Sequence, residues 1–165
     1  MRMQIEKPTC IIPEEKTEHM FEVHGWTFAN RTYAAEFLTF SVNPLSREQH
    51  GPLDPITLKQ AQHFVRDIMG YRDITIIPGR KDKGYGTYFY DQKVIRLGQK
   101  AGMYVLLHEV AHYKCGVRGH TAHFRAHYLQ LVRTYLGDYW ADELEKNFTK
   151  CGIKAQFLDD REKAR

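Results

Sequence analysis

Cysteine is scarce and odd in number: Cys10, Cys115 and Cys151 are the only three and lie far apart. That is poor material for a disulfide framework, and reduced thiols are the expectation. No run of about eighteen apolar residues occurs, so no segment reads as a membrane-spanning helix and no membrane partner is expected. The opening residues, MRMQIEKPTCIIPEEKTEHM, have neither the uninterrupted apolar core nor the small-residue cleavage site of a secretory signal, which makes the cytoplasm the expected location. Long runs of one charge are also missing. The net charge of +4 is scattered, so nucleic-acid binding is permitted without being indicated. Internal repeats and low-complexity tracts are absent.

What is present is an ordinary globular composition, 42% apolar and 27% charged, over 165 residues, which suits one domain with a real core. Histidine stands out. There are nine, and five of them (His108, His112, His120, His123 and His127) fall in one short segment.

Residues 1–24 are polar and of mixed charge, and partial order at best is expected there. From Trp26 to Val42 aromatic residues thicken without a clean helical or strand period, so a packed segment of undetermined form is expected. Residues 43–55 are rich in turn formers. Leu58, Ala61, Phe64 or Val65, Ile68 and Met69 then recur at helical spacing, with Thr57 as N-cap and Gly70 as stop. Asp73–Ile77 reads as a strand, and Tyr85–Tyr90 with Lys93–Leu97 as a hairpin about Asp91-Gln92. Three helices follow: Lys100–Cys115 stopped by Gly116, Thr121–Leu136 ended by Gly137, and one capped by Asp138 that carries Trp140, Leu144 and Phe148 as far as Gly152.

The expected class is α+β, a small sheet of about three mostly antiparallel strands packed on the helix over 100–115 and two C-terminal helices. The expected organisation is an N-terminal extension of undetermined structure over 1–50, a main folded domain over 51–155 and a charged, frayed tail over 156–165.

His108-Glu109-Val110-Ala111-His112 is an H-E-x-x-H sequence inside a helix, which sets both histidines on one face, one turn apart, where they can reach one zinc ion. Glu109 projects about 100° around the helix from His108, so it can lie beside the ion without ligating it and take a proton from metal-bound water. Catalytic zinc needs a third protein ligand. Arg118 stands where the extended metzincin motif requires histidine, which excludes that class. Glu143 and Glu145 lie on a charged helix face and are better read as solvated. His120 and His123 remain, because residues 115–119 form a short reversal that can swing the chain back. His127 reads as a half-buried polar residue, and Cys115 as a small thiol at a helix end.

The run from Leu106 to His112, then Gly119-His120 and Phe124, resembles the SprT-like minimal zincins, and more closely a family of metallohydrolases found in actinobacteria and their phages. In those proteins the helix motif is followed by His-Gly-x-x-Phe, whose histidine is taken as the third ligand. The resemblance maps that ligand onto His120. It covers roughly residues 57–152 and implies a zincin fold, zinc as cofactor and a protein or peptide substrate. The chain departs from the pattern at Thr121, which replaces the usual glycine, and in its aromatic N-terminal segment.

A second motif competes. Lys83-Gly84-Tyr85-Gly86-Thr87-Tyr88-Phe89-Tyr90 partly matches the base-stacking strand of RRM domains and fails at Thr87 and Tyr88. The helices that follow do not fit an RRM, so a tyrosine-rich hairpin is the simpler reading. A non-catalytic module, zinc-stabilised or binding RNA or single-stranded DNA through residues 83–90, is the alternative function. For the hydrolase, Tyr85, Tyr88, Tyr113 and His127 are candidates for stabilising an oxyanion.

Overall fold

The computed structural model describes residues 28–49, 51–156 and 158–163; the expectations for residues 1–24, including Cys10, and for Trp26 lie outside them. In chain order come α1 (Phe28–Glu36), α2 (Leu58–His63), β1 (Thr75–Pro78), β2 (Gly86–Phe89), β3 (Val94–Leu97), α3 (Met103–Cys115), α4 (Ala122–Tyr135), α5 (Asp138–Lys150) and the short α6 (Asp160–Lys163). The chain is α+β with a three-stranded sheet. No helix among the described residues is long and apolar enough to cross a membrane.

The helix boundaries follow local chemistry. Thr57 caps α2 by accepting from the Gln60 N–H, while the Gln60 side chain accepts from the Thr57 N–H, a reciprocal capping box. Both α1 and α2 widen at their ends into π turns, Phe37–Ser41 and Phe64–Ile68. The second widening resolves the choice between Phe64 and Val65: Val65 is fully buried and Phe64 only partly. At α5 the N-cap is Gly137 rather than Asp138, which instead pairs with Arg133 at 2.8 Å.

Strand order is β1-β3-β2. The expected hairpin is present, with β2 antiparallel to β3 and Tyr88 opposite Ile95. The other pairing is parallel, Ile76 opposite Ile95, so the sheet is mixed rather than mostly antiparallel. The chain leaves β1 for the outer edge, forms β2 there, and the hairpin turns β3 back between them in the direction of β1. Ile76, Tyr88, Ile95 and Leu97 face inward, while Thr75, Thr87 and Arg96 face solvent, the period-two alternation of a one-sided sheet.

Helix α3 packs on β2 and on α4, α4 on α5, and α5 on α1. Leu106, Leu107 and Val110 of α3 are fully buried, each contributing roughly 1.5–3 kcal/mol by leaving water. Ala34, Ala35 and Phe40, from the described part of the expected extension, join the same core as Leu144 and Phe148. Among the described residues of the tail, Leu158 is buried, and Asp159 and Glu162 each accept from the other's backbone N–H.

Candidate metal centre

Positions 108 and 112 lie one turn apart on α3, so both imidazoles leave the same face of the helix. The helix then stops at Gly116, whose φ of +67° is left-handed and whose N–H donates to the His112 carbonyl at 3.0 Å. The chain reverses through residues 117–120. Thr121 starts α4 by accepting from the Phe124 N–H at 3.2 Å. This reversal returns His120 to the motif helix, and the ring nitrogens of His108, His112 and His120 lie within 4.8 Å of one another. Among the described residues no other set of three histidine, cysteine or carboxylate groups converges in this way.

The outer nitrogens settle the tautomers. His108 Nδ1 is 2.7 Å from Glu36 Oε1, both groups buried, and must donate to the carboxylate. His112 Nδ1 is 2.8 Å from the Tyr90 hydroxyl, which donates its own hydrogen to the Val117 carbonyl, so Nδ1 of His112 must also be the donor. Both rings therefore turn an unprotonated Nε2 inward. His120 Nε2 lies 2.9 Å from His108 Nε2. Two lone pairs cannot face each other at that distance unless a proton or a cation lies between them. The donor set, three imidazole nitrogens with two locked from behind, fits a borderline-soft divalent cation such as zinc.

Aromatic rings wall the histidines. The Phe124 ring packs 4.3 Å from His112 and 4.8 Å from His120, centroid to centroid, while Tyr33 stacks on His108 at 5.5 Å and meets His120 edge-on at 4.7 Å. The buried Arg125 donates to the His120 carbonyl and, through Nε, to that of Lys154 at 2.6 Å, tying the reversal to the C-terminal segment. No side-chain partner fixes His120 Nδ1 among the described residues.

Glu109 is 6% exposed, and burial pushes its carboxyl up to about 7; Glu36 adds to the rise, while His108 and the Tyr88 N–H oppose it. Burial holds His112 down to about 3 and His120 to about 2, with the His108 charge lowering both further. Burial also pulls His108 down, but Glu36 outweighs it and the net shift is upward. In Tyr33 burial, with Glu36 and Glu109 nearby, holds the phenol protonated far above its usual range.

A cleft of about 490 Å³ opens between α3 and the edge strand β2, lined by Glu109, His112, Tyr33, Gly86 and Arg118 among others. Gly86 makes the close approach possible: a Cβ there would lie 2.8 Å from Glu109 Cγ. Gly98 N–H donates to the Tyr85 carbonyl, so Tyr85, Thr87 and Phe89 bond to β3 and the backbone of Gly86 and Tyr88 points outward along the free edge.

Of the residues singled out from sequence, His108, His112, His120 and Glu109 come together. His123 does not; its Nδ1 is 3.8 Å from Glu162 and its ring packs edge-on against His127. Glu143 faces Lys146 on α5, and Cys115 turns its sulfur to backbone carbonyls. Of the oxyanion candidates, Tyr88 lines the cleft with its ring buried, whereas Tyr85 faces solvent, Tyr113 donates to Asp73 and His127 is buried beside His123. Tyr33, Glu36 and Tyr90 surround the site instead. Glu36 and Tyr33 are three residues apart on one turn of α1, a spacing that carries no metal signature.

No family model, curated protein or solved structure matches the chain.

Proposed function

We propose that the protein is a zinc-dependent hydrolase that cleaves peptide bonds. The observation that carries this reading is the pairing of a three-histidine cluster, two of its rings locked from behind, with a buried carboxylate, Glu109, beside it in an open cleft. A zinc ion held by three neutral imidazoles acidifies water and polarises a carbonyl. His108, His112 and His120 would hold it.

Glu109 has the position and proton affinity of a general base. It accepts a proton from the attacking water and returns it to the leaving amine. The Tyr88 N–H holds its carboxylate on the β2 side of the cleft. Tyr33, protonated and partly exposed beside His108, donates a hydrogen bond to the carbonyl oxygen as negative charge grows there. An extended peptide fits the free edge of β2, adding a strand beside Gly86 and Tyr88. The sequence resemblance to minimal zincins supports peptide as the substrate class.

The test is metal content and turnover of Glu109→Gln on an unstructured protein such as casein. One zinc per chain with hydrolysis abolished is the expected result. Loss of hydrolysis together with loss of zinc would leave Glu109 a structural residue, and hydrolysis by the variant at the wild-type rate would contradict its role as base.

A further inference from the structure

The tyrosines of the 83–90 motif divide between two faces of β2. Tyr88 is buried, and Tyr90 reaches back to His112, so these two belong to the metal site. Tyr85, Thr87 and Phe89 fall on the opposite face, the one turned away from α3. Tyr85 is 51% exposed, and the Arg96 guanidinium lies over the Phe89 ring, 4.9 Å from its centroid. Thr75, Ile77 and Val94 complete this outer face, which no described helix covers by any extensive packing.

The net positive charge of the chain falls in the segment that builds this sheet. Residues 71–100 contain seven lysines and arginines against three aspartates, a net +4 equal to that of the whole chain, so the remainder is neutral on balance. Arg72, Arg80, Lys81, Lys93, Arg96 and Lys100 of this segment are all exposed. All three aspartates are held by cations, Asp73 by Lys93 at 2.7 Å, Asp82 by Lys83 at 3.2 Å and Asp91 by Arg118 at 3.7 Å. A partner for this face must therefore carry spaced negative charge and flat apolar groups together.

We infer that the outer face of the sheet, centred on Tyr85 and the Phe89–Arg96 pair, binds single-stranded nucleic acid. Bases stack on the Tyr85 ring and on the Arg96 guanidinium plane, and the surrounding lysines and arginines follow the phosphates. Thr87 stands where an RRM strand carries a second aromatic, so the platform holds fewer bases than an RRM and reads little sequence. Strand β2 lines the cleft along its edge and its other face, so a bound nucleic-acid strand lies across β2 from the metal site. A duplex fits poorly because its bases are already stacked.

Fluorescence anisotropy with labelled 15-nucleotide oligo(dT) and oligo(rU), at about 50 mM salt and above, tests this on the full chain. Binding of at least one strand is expected, weakening as salt rises, with a duplex of equal length bound less tightly. Tyr85→Ala should lower affinity by about 5- to 150-fold, the range for one stacked base. Tyr85→Phe should retain wild-type affinity, and Arg96→Ala should weaken binding as a second stacking position. Arg133→Ala, on the helical side, should bind like wild type. A flat titration, unchanged affinity of folded Tyr85→Ala, or a duplex bound as tightly as the single strand would overturn the inference.

Discussion

The Glu36 carboxylate and His108 Nδ1 lie 2.7 Å apart, both buried, across 72 positions of sequence. The Tyr128 ring packs edge-on against His108 at 5.3 Å, and its hydroxyl donates to the Tyr104 carbonyl at 3.3 Å, which closes the pocket from a second side. A buried carboxylate behind a ligating imidazole holds the ring and raises its basicity. Glu36→Gln should therefore lower zinc affinity about 10- to 100-fold in a competitive chelator titration, with the fold retained by circular dichroism. Unchanged affinity would show that Glu36 serves only the core.

Tyr90 does for His112 what Glu36 does for His108, but without charge. Tyr90→Phe leaves the Nδ1 hydrogen without its acceptor and frees the ring to adopt the other tautomer. Zinc affinity should fall about 10-fold, the lower end of the range for Glu36→Gln, and stability by about 1–2 kcal/mol in urea unfolding of the metal-free protein.

Gly86→Ala separates metal binding from hydrolysis. The new Cβ would stand 2.8 Å from Glu109 Cγ and 3.2 Å from its Oε1, so the carboxylate or the strand must shift. Overpacking of this kind costs about 1–3 kcal/mol. Zinc should bind with full stoichiometry while turnover drops at least 100-fold; turnover near wild type would mean that Glu109 has room to spare.

Much of this centre is legible in sequence because the carriers obey simple periods. The i, i+4 spacing on α3 joins His108 to His112, and Gly116 and Thr121 mark the reversal that brings in His120. Glu36 and Tyr33 escape because α1 runs directly into the π turn at Phe37–Ser41, where the widened spiral breaks the 3.6-residue repeat across an aromatic-rich segment. The same widening at Phe64 blurs which residue of α2 is buried. The parallel pairing of β1 with β3 has no local signal either. Four-residue strands carry burial alternation but nothing that ranks their neighbours, and that order is set only when β2 takes the outer edge over α3.

Protons and zinc compete for the same pocket. In the metal-free folded protein His112 and His120 stay neutral down to about 3 and 2, whereas the unfolded residues protonate near 6.5. Unfolding then takes up protons, so these two groups cost stability as pH falls below 6.5. Glu109 acts in the opposite sense. Unfolded it ionises near 4.5, folded near 7, so its burial destabilises the metal-free protein progressively from pH 4.5 to 7. Glu109→Gln removes that penalty. In chelator-treated samples its melting temperature should exceed that of wild type by a margin that is negligible at pH 4.5 and widens to pH 7; a margin independent of pH would contradict the assignment.

Arg125 holds His120 through the backbone rather than the ring. Arg125→Ala should weaken zinc binding while leaving pairwise contacts of His108 and His112 intact, and His120→Ala should be more severe. The most direct measurement of the central claim is zinc stoichiometry on the chelated and reconstituted chain at neutral pH for wild type, His120→Ala and His123→Ala. One zinc per chain in wild type and His123→Ala, with affinity reduced at least 100-fold in His120→Ala, is the predicted result. No stoichiometric zinc in folded wild type, or equal binding by His120→Ala, would contradict a three-histidine centre.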